Sequence, residues 1–480
     1  MAEEFVTAIP KKSENFPDWY VQIVRRAELA DYTPIKGCMV YRPYGYGIWE
    51  LIKEALDRRL KATGHQNAYF PLFIPESFLT KEAEHVQGFA PEVAWVTHGG
   101  DEQLEERLAI RPTSEAIIMP MYAKWVRSYR DLPILINLWN NVVRWEKVTR
   151  LFLRTTEFLW QEGHTVHRTH EDAMEETLRI FGIYQDLVEN ELAIPVLMGP
   201  KSAQEKFAGA QATYALEAMM PDGRALQCGT SHYFGQNFSR AFDIKFLDSD
   251  GEQKYAWSTS WGVSTRLIGG LVMTHGDDSG LILPPRVAPI QVVVVPIFYG
   301  LEMVEVIAKA EELAKALEDA GIRTKVDARD EYTPGWKFSE WELRGVPLRL
   351  EIGPRDLQAQ QVVLVRRDNR KKEKVGWDSL LARVPEILKD LQATLLTRAK
   401  EFLAASICRT EEYGEFVSIM ESQRGFLLSP WCGEASCEDK IKAETTATIR
   451  CIAEQEDAVG AACIACGHPA QTWAYFAKSY

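Results

Sequence analysis

RWEKVTRLFLRTTEFLWQEGH, residues 144–164, is the stretch whose reading decides the fold. At the two-residue period of a strand, Arg144 and Glu146 point to one face of a first strand, while Arg154, Phe158 and Glu162 share one face of a second. The seven residues between, KVTRLFL, then form a hairpin loop. A guanidinium, a carboxylate and an aromatic ring facing one way across two paired strands make a place to hold a nucleotide. The guanidinium suits phosphate, the carboxylate the adenine amino group, and the ring face the base. The same pattern also describes an amphipathic hairpin whose charges pair across strands and whose aromatics are core.

At 480 residues the chain exceeds one ordinary core, so two or three domains are expected. Its 46% hydrophobic content argues against disorder. The opening MAEEFVTAIPKKSEN has no apolar signal segment, and runs such as IQVVVVPIF are far short of the ~20 residues a membrane span needs. A soluble, cytoplasmic protein is expected. A net charge of −13 weighs against a general nucleic-acid coat, but residues 287–400 hold 19 basic and 18 acidic side chains, leaving −14 elsewhere. That block is the basic one relative to its surroundings.

Residues 17–30 and 48–61 carry helical spacing, with Gly64 placed as a C-cap, and NAYFPLFIP reads as an apolar strand ending at Pro75. The second helix and that strand suit pairing with a twin subunit, or equally an internal layer. RLAIRPTSEAIIMPMYAKWV starts as a strand and turns helical near Ser114. Thr113 and Glu115 can hold an ammonium there, or serve as helix N-cap and dipole partner. HEDAMEETLRIFGIYQDLVENEL is an amphipathic helix, and ALQCGTSHYFGQNFSRAFDIKFLD reads as two strands. On the first, Thr230 and His232 share a face, so Gln227 joins them only if the chain bends at Gly229. Gly262 is expected to break a strand, before a short helix from about Thr265 to Thr274. Arg266 near its start opposes the dipole unless a polyphosphate sits in front.

From Ala288 strands and helices alternate, which predicts a small α/β domain with a mostly parallel sheet and a last helix over 379–399. Its tip carries Arg366, Arg367, Arg370, Lys371, Lys372 and Lys374, able to meet phosphates or simply be solvated. The tail holds Cys432, Cys437, Cys463 and Cys466, spaced C-x4-C and C-x2-C, which suits four thiolates around a structural Zn2+. Cys451 could replace one of these ligands, though its isolated context favours the two pairs.

Taken together, these stretches resemble class II aminoacyl-tRNA synthetases over essentially the whole chain. GHQNAYFPLFIP, RWE with RTTEFLWQE, and GVSTRLIGG resemble the three class signatures. RPTSE, LQCGTSHYFGQNFSRAF, HGDDSGLILPPRVAPIQ and RGVPLRLEIGPRDL resemble the parts specific to prolyl-tRNA synthetases of the archaeal and eukaryotic type. The resemblance implies an α+β catalytic domain over 1–286, an α/β anticodon-binding domain over 287–400 and a zinc-binding C-terminal domain over 401–480. It also implies a homodimer that uses ATP, Mg2+, L-proline and tRNA(Pro), with no membrane partner. By resemblance, Arg144 and Arg266 are catalytic. Arg144 holds the α-phosphate and substrate carboxylate, and Arg266, with Ser264 beside it, the γ-phosphate. Glu146 and Phe158 hold adenine, near Thr155 and Thr156, and Gln227 and Thr230 contact ATP and its metal. Thr113, Glu115 and His232 recognise proline, with Trp160, Glu162, His164 and Phe207 around its pocket. Only 64 residues separate Glu162 from Gln227, so no editing domain is inserted there. Asp327 is followed by Ala328 where the family usually carries an acidic pair. The terminal Tyr480 either folds back toward the site, as in the family, or frays.

Overall fold

The computed structural model describes residues 9–85, 93–298 and 303–480, with the backbone alone for 82–85. Most of the polar opening segment, and residues 299–302 ahead of helix Met303–Asp319, lie outside them. Around the deciding stretch a seven-stranded sheet forms, in the order Gln66–Asn67, Ile134–Val143, Glu157–His167, Trp257–Ser264, Ala225–Gly235, Ala212–Met219, Leu197–Pro200. Only the first pair is parallel.

One face is packed by helices Phe16–Arg26, Pro43–Ala62, His170–Asp186 and Arg266–His275. Odd-numbered residues of the three central strands meet that layer. Gln161 Oε1 accepts from Tyr184 Oη at 2.5 Å, Ser231 Oγ donates to Thr177 O at 2.8 Å, and Trp261 sits edge-on to Tyr184. Even-numbered residues face the other way, in rows set by register: Glu162, Gly262 and Thr230 in one, His164, Ser260, His232 and Thr213 in the next. Those rows carry the site.

Several local expectations give way to tertiary context. The first hairpin strand ends at Val143 and the second begins at Glu157, so Arg144, Glu146 and Arg154 stand on a longer loop rather than on strands. Phe158 and Glu162 do share a strand face. The loop is held by Arg144 N donating to Thr156 O (2.8 Å) and Thr156 N to Gly37 O (2.8 Å), non-local bonds that no strand period reveals. NAYFPLFIP is not one strand: Gln66–Asn67 joins the large sheet, whereas Phe73–Pro75 joins a three-stranded one. Ser114, not Thr113, occupies the N-cap position of Glu115–Trp125. Gly262 does not break its strand; it pairs with both Glu162 and Thr230, and its missing side chain leaves room for the Trp160 ring.

The second sheet runs Thr324–Val326, Val292–Pro296, Leu348–Ile352, Gln361–Arg366, Lys372–Gly376. The first three are mutually parallel, but the last two ladders are antiparallel, so the sheet is mixed. The short connections there have no room for a crossover. Helix Trp377–Ala405 outruns its expected end at 399, and beyond it Leu403 packs against the cluster of Met219, Ala225, Phe426 and Ala477. The third sheet runs Ile407–Arg409, Phe426–Trp431, Thr472–Ala477, Thr448–Ala453, with helix Ala435–Thr445 against it. No described helix is long and apolar enough to cross a membrane.

Candidate active site

The even-numbered rows open into a cleft lined by Thr113, Glu115, Arg144, Phe158, Trp160, Phe207, Gln227, Thr230, His232, Ser264 and Arg266, among others. Two guanidiniums therefore meet in one cavity from positions 122 apart in the chain. Arg144 Nε donates to Pro112 O at 2.9 Å, and its guanidinium lies 5.4 and 5.3 Å from the ring centres of Phe158 and Trp160. Arg266 is the first residue of its helix; its backbone N–H bonds Ser264 Oγ (3.2 Å) and its Nε bonds Leu153 O (3.0 Å). Burial, and next the charge of Arg144, hold Arg266 below its ordinary pKa. Burial likewise lowers Arg144, against the opposing pull of Glu115, Glu162 and Glu146. Two facing cations in a half-dry cleft suit a polyanion.

Glu115 reaches the cleft from the start of its helix, with Oε1 accepting from Ser260 Oγ at 3.0 Å and Oε2 from Thr113 Oγ1. Glu162 and His164 lie one layer behind. Glu162 Oε1 accepts from Ser114 Oγ and from Asn140 Nδ2 at 2.8 Å; Oε2 accepts from Ser114 N at 3.2 Å and meets His164 Nε2 at 2.9 Å. His164 Nδ1 sits 3.8 Å from Glu115 Oε1. Burial alone lowers the pKa of His164, but the two carboxylates raise it above its ordinary value; burial raises that of Glu162, and His164 with the hydrogen bonds brings it below. Glu162 is thus saturated by protein donors, and Glu115 is the carboxylate presented to the cavity.

Gln227 reaches the same wall as Thr230 and His232. The bend expected at Gly229 is a bulge: Leu216 faces Gly229 while Glu217 faces Gln227, so Cys228 is the extra residue and the alternation shifts by one. His232 bonds Thr213 Oγ1 and Thr230 Oγ1, each at 3.0 Å, and its ring lies 4.7 Å from that of Phe207. Burial foremost, then the charges of His164, Lys201 and Arg144, pushes His232 down to about 3, so it is neutral near pH 7. Glu146, Thr155 and Thr156 are not in the cleft wall. Glu146 pairs with Arg154 at 2.7 Å, and the buried Thr155 and Thr156 pin the loop root. The sequence reading missed Lys201, Glu205, Thr213 and Ser260, which line the same cavity. Of these, Ser260 is two residues before Gly262 on a strand already placed, so its face was readable; Lys201 and Glu205 lie in irregular chain with no period.

In the third unit, the ligand atoms of Cys432, Cys437, Cys463 and Cys466 all lie within 4.8 Å of one another. Cys432 Sγ is 3.6 Å from Cys437 Sγ and 3.8 Å from Cys466 Sγ. The edge of a tetrahedron with Zn–S of about 2.3 Å is about 3.8 Å, so the set fits zinc. Cys451 is elsewhere, its thiol donating to Ala215 O at 3.6 Å. The chain end does not fray: Ala225 N donates to Lys478 O at 2.8 Å and Tyr480 N to Ala225 O at 3.2 Å, which sets the Tyr480 ring 5.9 Å from Arg150 on the loop beside the cleft. Asp327 is buried and taken up by Arg329 and Trp341. The basic tip is largely ion-paired, Arg366 with Asp368 and Arg367 with Asp277.

Comparison with known proteins agrees with this arrangement. A tRNA synthetase class II core domain (G, H, P, S and T) matches residues 95–275, an anticodon binding domain 291–387, and the C-terminal domain of prolyl-tRNA synthetase 413–480. A proline–tRNA ligase of Natranaerobius thermophilus is 56% identical, covering all of this chain and 99% of the relative. Another from Symbiobacterium thermophilum is 54% identical over the full length of both. A proline–tRNA ligase 2 of Bacillus cereus is 53% identical, again over both whole chains. With the cleft, the four-cysteine cluster and these full-length matches in agreement, the chain belongs to the prolyl-tRNA synthetase family of class II aminoacyl-tRNA synthetases.

Proposed function

We propose that this cleft activates L-proline with ATP and esterifies the product to the 3′ end of tRNA(Pro). The observation that carries the reading is the convergence of Arg144, Arg266 and Glu115 on one cavity. In the first step a proline carboxylate oxygen attacks the α-phosphorus of ATP; the new O–P bond forms as the bond to pyrophosphate breaks. In the second, the terminal ribose hydroxyl of the tRNA attacks the activated carbonyl and AMP leaves. Positioning and charge neutralisation drive the first step, since the carboxylate needs no base. Arg144 faces the α-phosphate and substrate carboxylate, Arg266 the γ-phosphate, and Phe158 the adenine, with Glu146 joining it from the adjoining loop on release from Arg154. Glu115 and Thr113 take the imino-acid ammonium, against the apolar walls of Trp160 and Phe207. Gln227 and Thr230 would hold the Mg2+ that comes with ATP, and that ion, when bound, would supply Lewis-acid charge to the departing pyrophosphate. Glu162 and His164 act by fixing Glu115.

The domain limits 1–286, 287–400 and 401–480 belong to the same proposal, with the second unit reading the anticodon and zinc holding the third. So do a cytoplasmic location and a homodimer, the latter supported by exposed Tyr46 on helix Pro43–Ala62 and exposed Tyr69, which lines one groove with it. Proline-dependent exchange of pyrophosphate into ATP tests the activity. Exchange with proline is expected; none from folded, zinc-replete protein overturns the proposal.

A further inference from the structure

A second buried ion cluster bordering the cleft is shared with the C-terminal unit. Glu217 is fully buried, and Arg450, 233 residues later, grips it with two nitrogens: Nη2 to Oε1 at 2.8 Å and Nε to Oε2 at 3.1 Å. Lys201 Nζ meets the same Oε1 at 3.2 Å, and Lys201 lines the cleft. Both ends of the cluster are aimed by bulges. On Thr448–Ala453 the register skips from Ile449 to Cys451, leaving Arg450 unpaired and turned out of its own sheet. Glu217 faces Gln227 at the bulge that also turns Gln227 into the cleft. The two units touch closely here: Gly199 has no room for a side chain against Ile452 O, and the Cys451 thiol bonds Ala215 O.

The charges do not balance within the cluster. Two cations share one carboxylate, and burial, which works to raise Glu217, is more than offset by Arg450 and Lys201, so Glu217 is ionised. The other groups around it are Glu205, near Arg450 and in the cleft wall, the buried thiols of Cys451 and Cys228, the Arg266 guanidinium and, on the Lys201 side, the neutral His232. Because Arg450 satisfies both oxygens of Glu217, the ammonium of Lys201 keeps a net positive charge for the cavity. Lys201 N bonds Thr213 O at 2.8 Å, so its side chain starts beside Thr213 and His232 and runs along the cleft to Glu217, opposite Gln227.

The geometry points to Arg450 as a positioning residue by which the C-terminal unit sets the active site: it occupies Glu217 so that Lys201 presents its charge to the cavity, where it joins Arg144 in drawing the substrate carboxylate. The inference rests on the proposed activity. Without Arg450, Glu217 draws the ammonium into a closed one-to-one pair and the cavity loses that charge.

The test is a double-mutant cycle in the full-length, zinc-loaded protein with Lys201→Met, Arg450→Met and the pair. Arg450→Lys serves as the conservative variant. Proline KM, ATP KM and kcat are read by pyrophosphate exchange, with the thermal midpoint alongside. Either single change is expected to raise proline KM about tenfold with ATP KM within twofold, the pair to raise it no further, and Arg450→Lys to fall between. Should Arg450→Met lower the midpoint and leave proline KM unmoved, Arg450 only docks the unit, and the inference fails. It fails equally if the two effects multiply. Should Arg450→Met not fold, Arg450→Lys decides: a wild-type proline KM overturns the inference. Inactive wild type would instead overturn the activity itself.

Discussion

Glu162→Gln distinguishes a carboxylate that builds the site from one that touches the ligand. Glu162 is 1% exposed, and each of its oxygens faces at least two donors. An amide must turn its NH2 toward one of those pairs, so two donors then face a third, and His164 loses its nearest counter-charge. Removing one partner of a buried ion pair costs about 3–5 kcal/mol, and the lost hydrogen bonds are part of that sum rather than additional to it. For a unit of roughly 290 residues the unfolding entropy is about 0.6 kcal/mol per kelvin, so the midpoint should fall by about 5–8 °C. Calorimetry on the zinc-loaded protein measures this, with pyrophosphate exchange for proline KM. Glu115→Gln is the control: its carboxylate faces the cavity, so proline KM should rise there with a smaller change in midpoint. A Glu162→Gln midpoint within 1 °C of wild type, combined with a tenfold rise in proline KM, would refute the layering and make Glu162 a ligand contact.

Arg144→Ala is expected to reduce exchange by roughly 100-fold or more, on the scale of losing one donor to transition-state charge, with circular dichroism and zinc content unchanged; retention within tenfold counts against it. Zinc analysis should find one ion per chain, and either a strong chelator or Cys463→Ser should lower the midpoint of the C-terminal unit; metal-free protein of unchanged stability would remove the zinc assignment. Burial pushes His167 and His275 down to about 4 and His232 to about 3, from 6.5. The unfolded chain therefore takes up protons below about pH 6.5 that the folded one refuses, and stability falls by about 1.4 kcal/mol per pH unit for each of these histidines down to about pH 4. His164, raised instead, is protonated in both states in that window and adds no slope. Urea unfolding of His275→Gln should show a shallower loss than wild type by about that one increment, and identical slopes would contradict it.

Much of the architecture was legible because it depends on local periods. The helices after Pro43 and His170, the strand-to-helix turn at Ser114, the alternation beyond Ala288 and the paired cysteines follow from spacing and capping alone, and the family resemblance attached roles to residues already placed on faces. The second sheet was expected mostly parallel and is mixed, because loop length, not strand composition, sets pairing direction at its far edge. The strand period also overran the loop that holds Arg144, since the bonds fixing that loop come from Gly37, more than a hundred positions away.

What the chain's own pattern determined is which side chains share a face. Depth and partnership were decided only on folding. Glu115 and Glu162 read alike in the sequence, as acids near a cleft; packing makes one the wall and encloses the other behind it. A bulge at Cys228 turns Gln227 toward the cavity, and a second at Arg450 turns a guanidinium out of one sheet onto a carboxylate of another. A period of two has no term for an extra residue whose cost is met by a neighbour 233 positions distant.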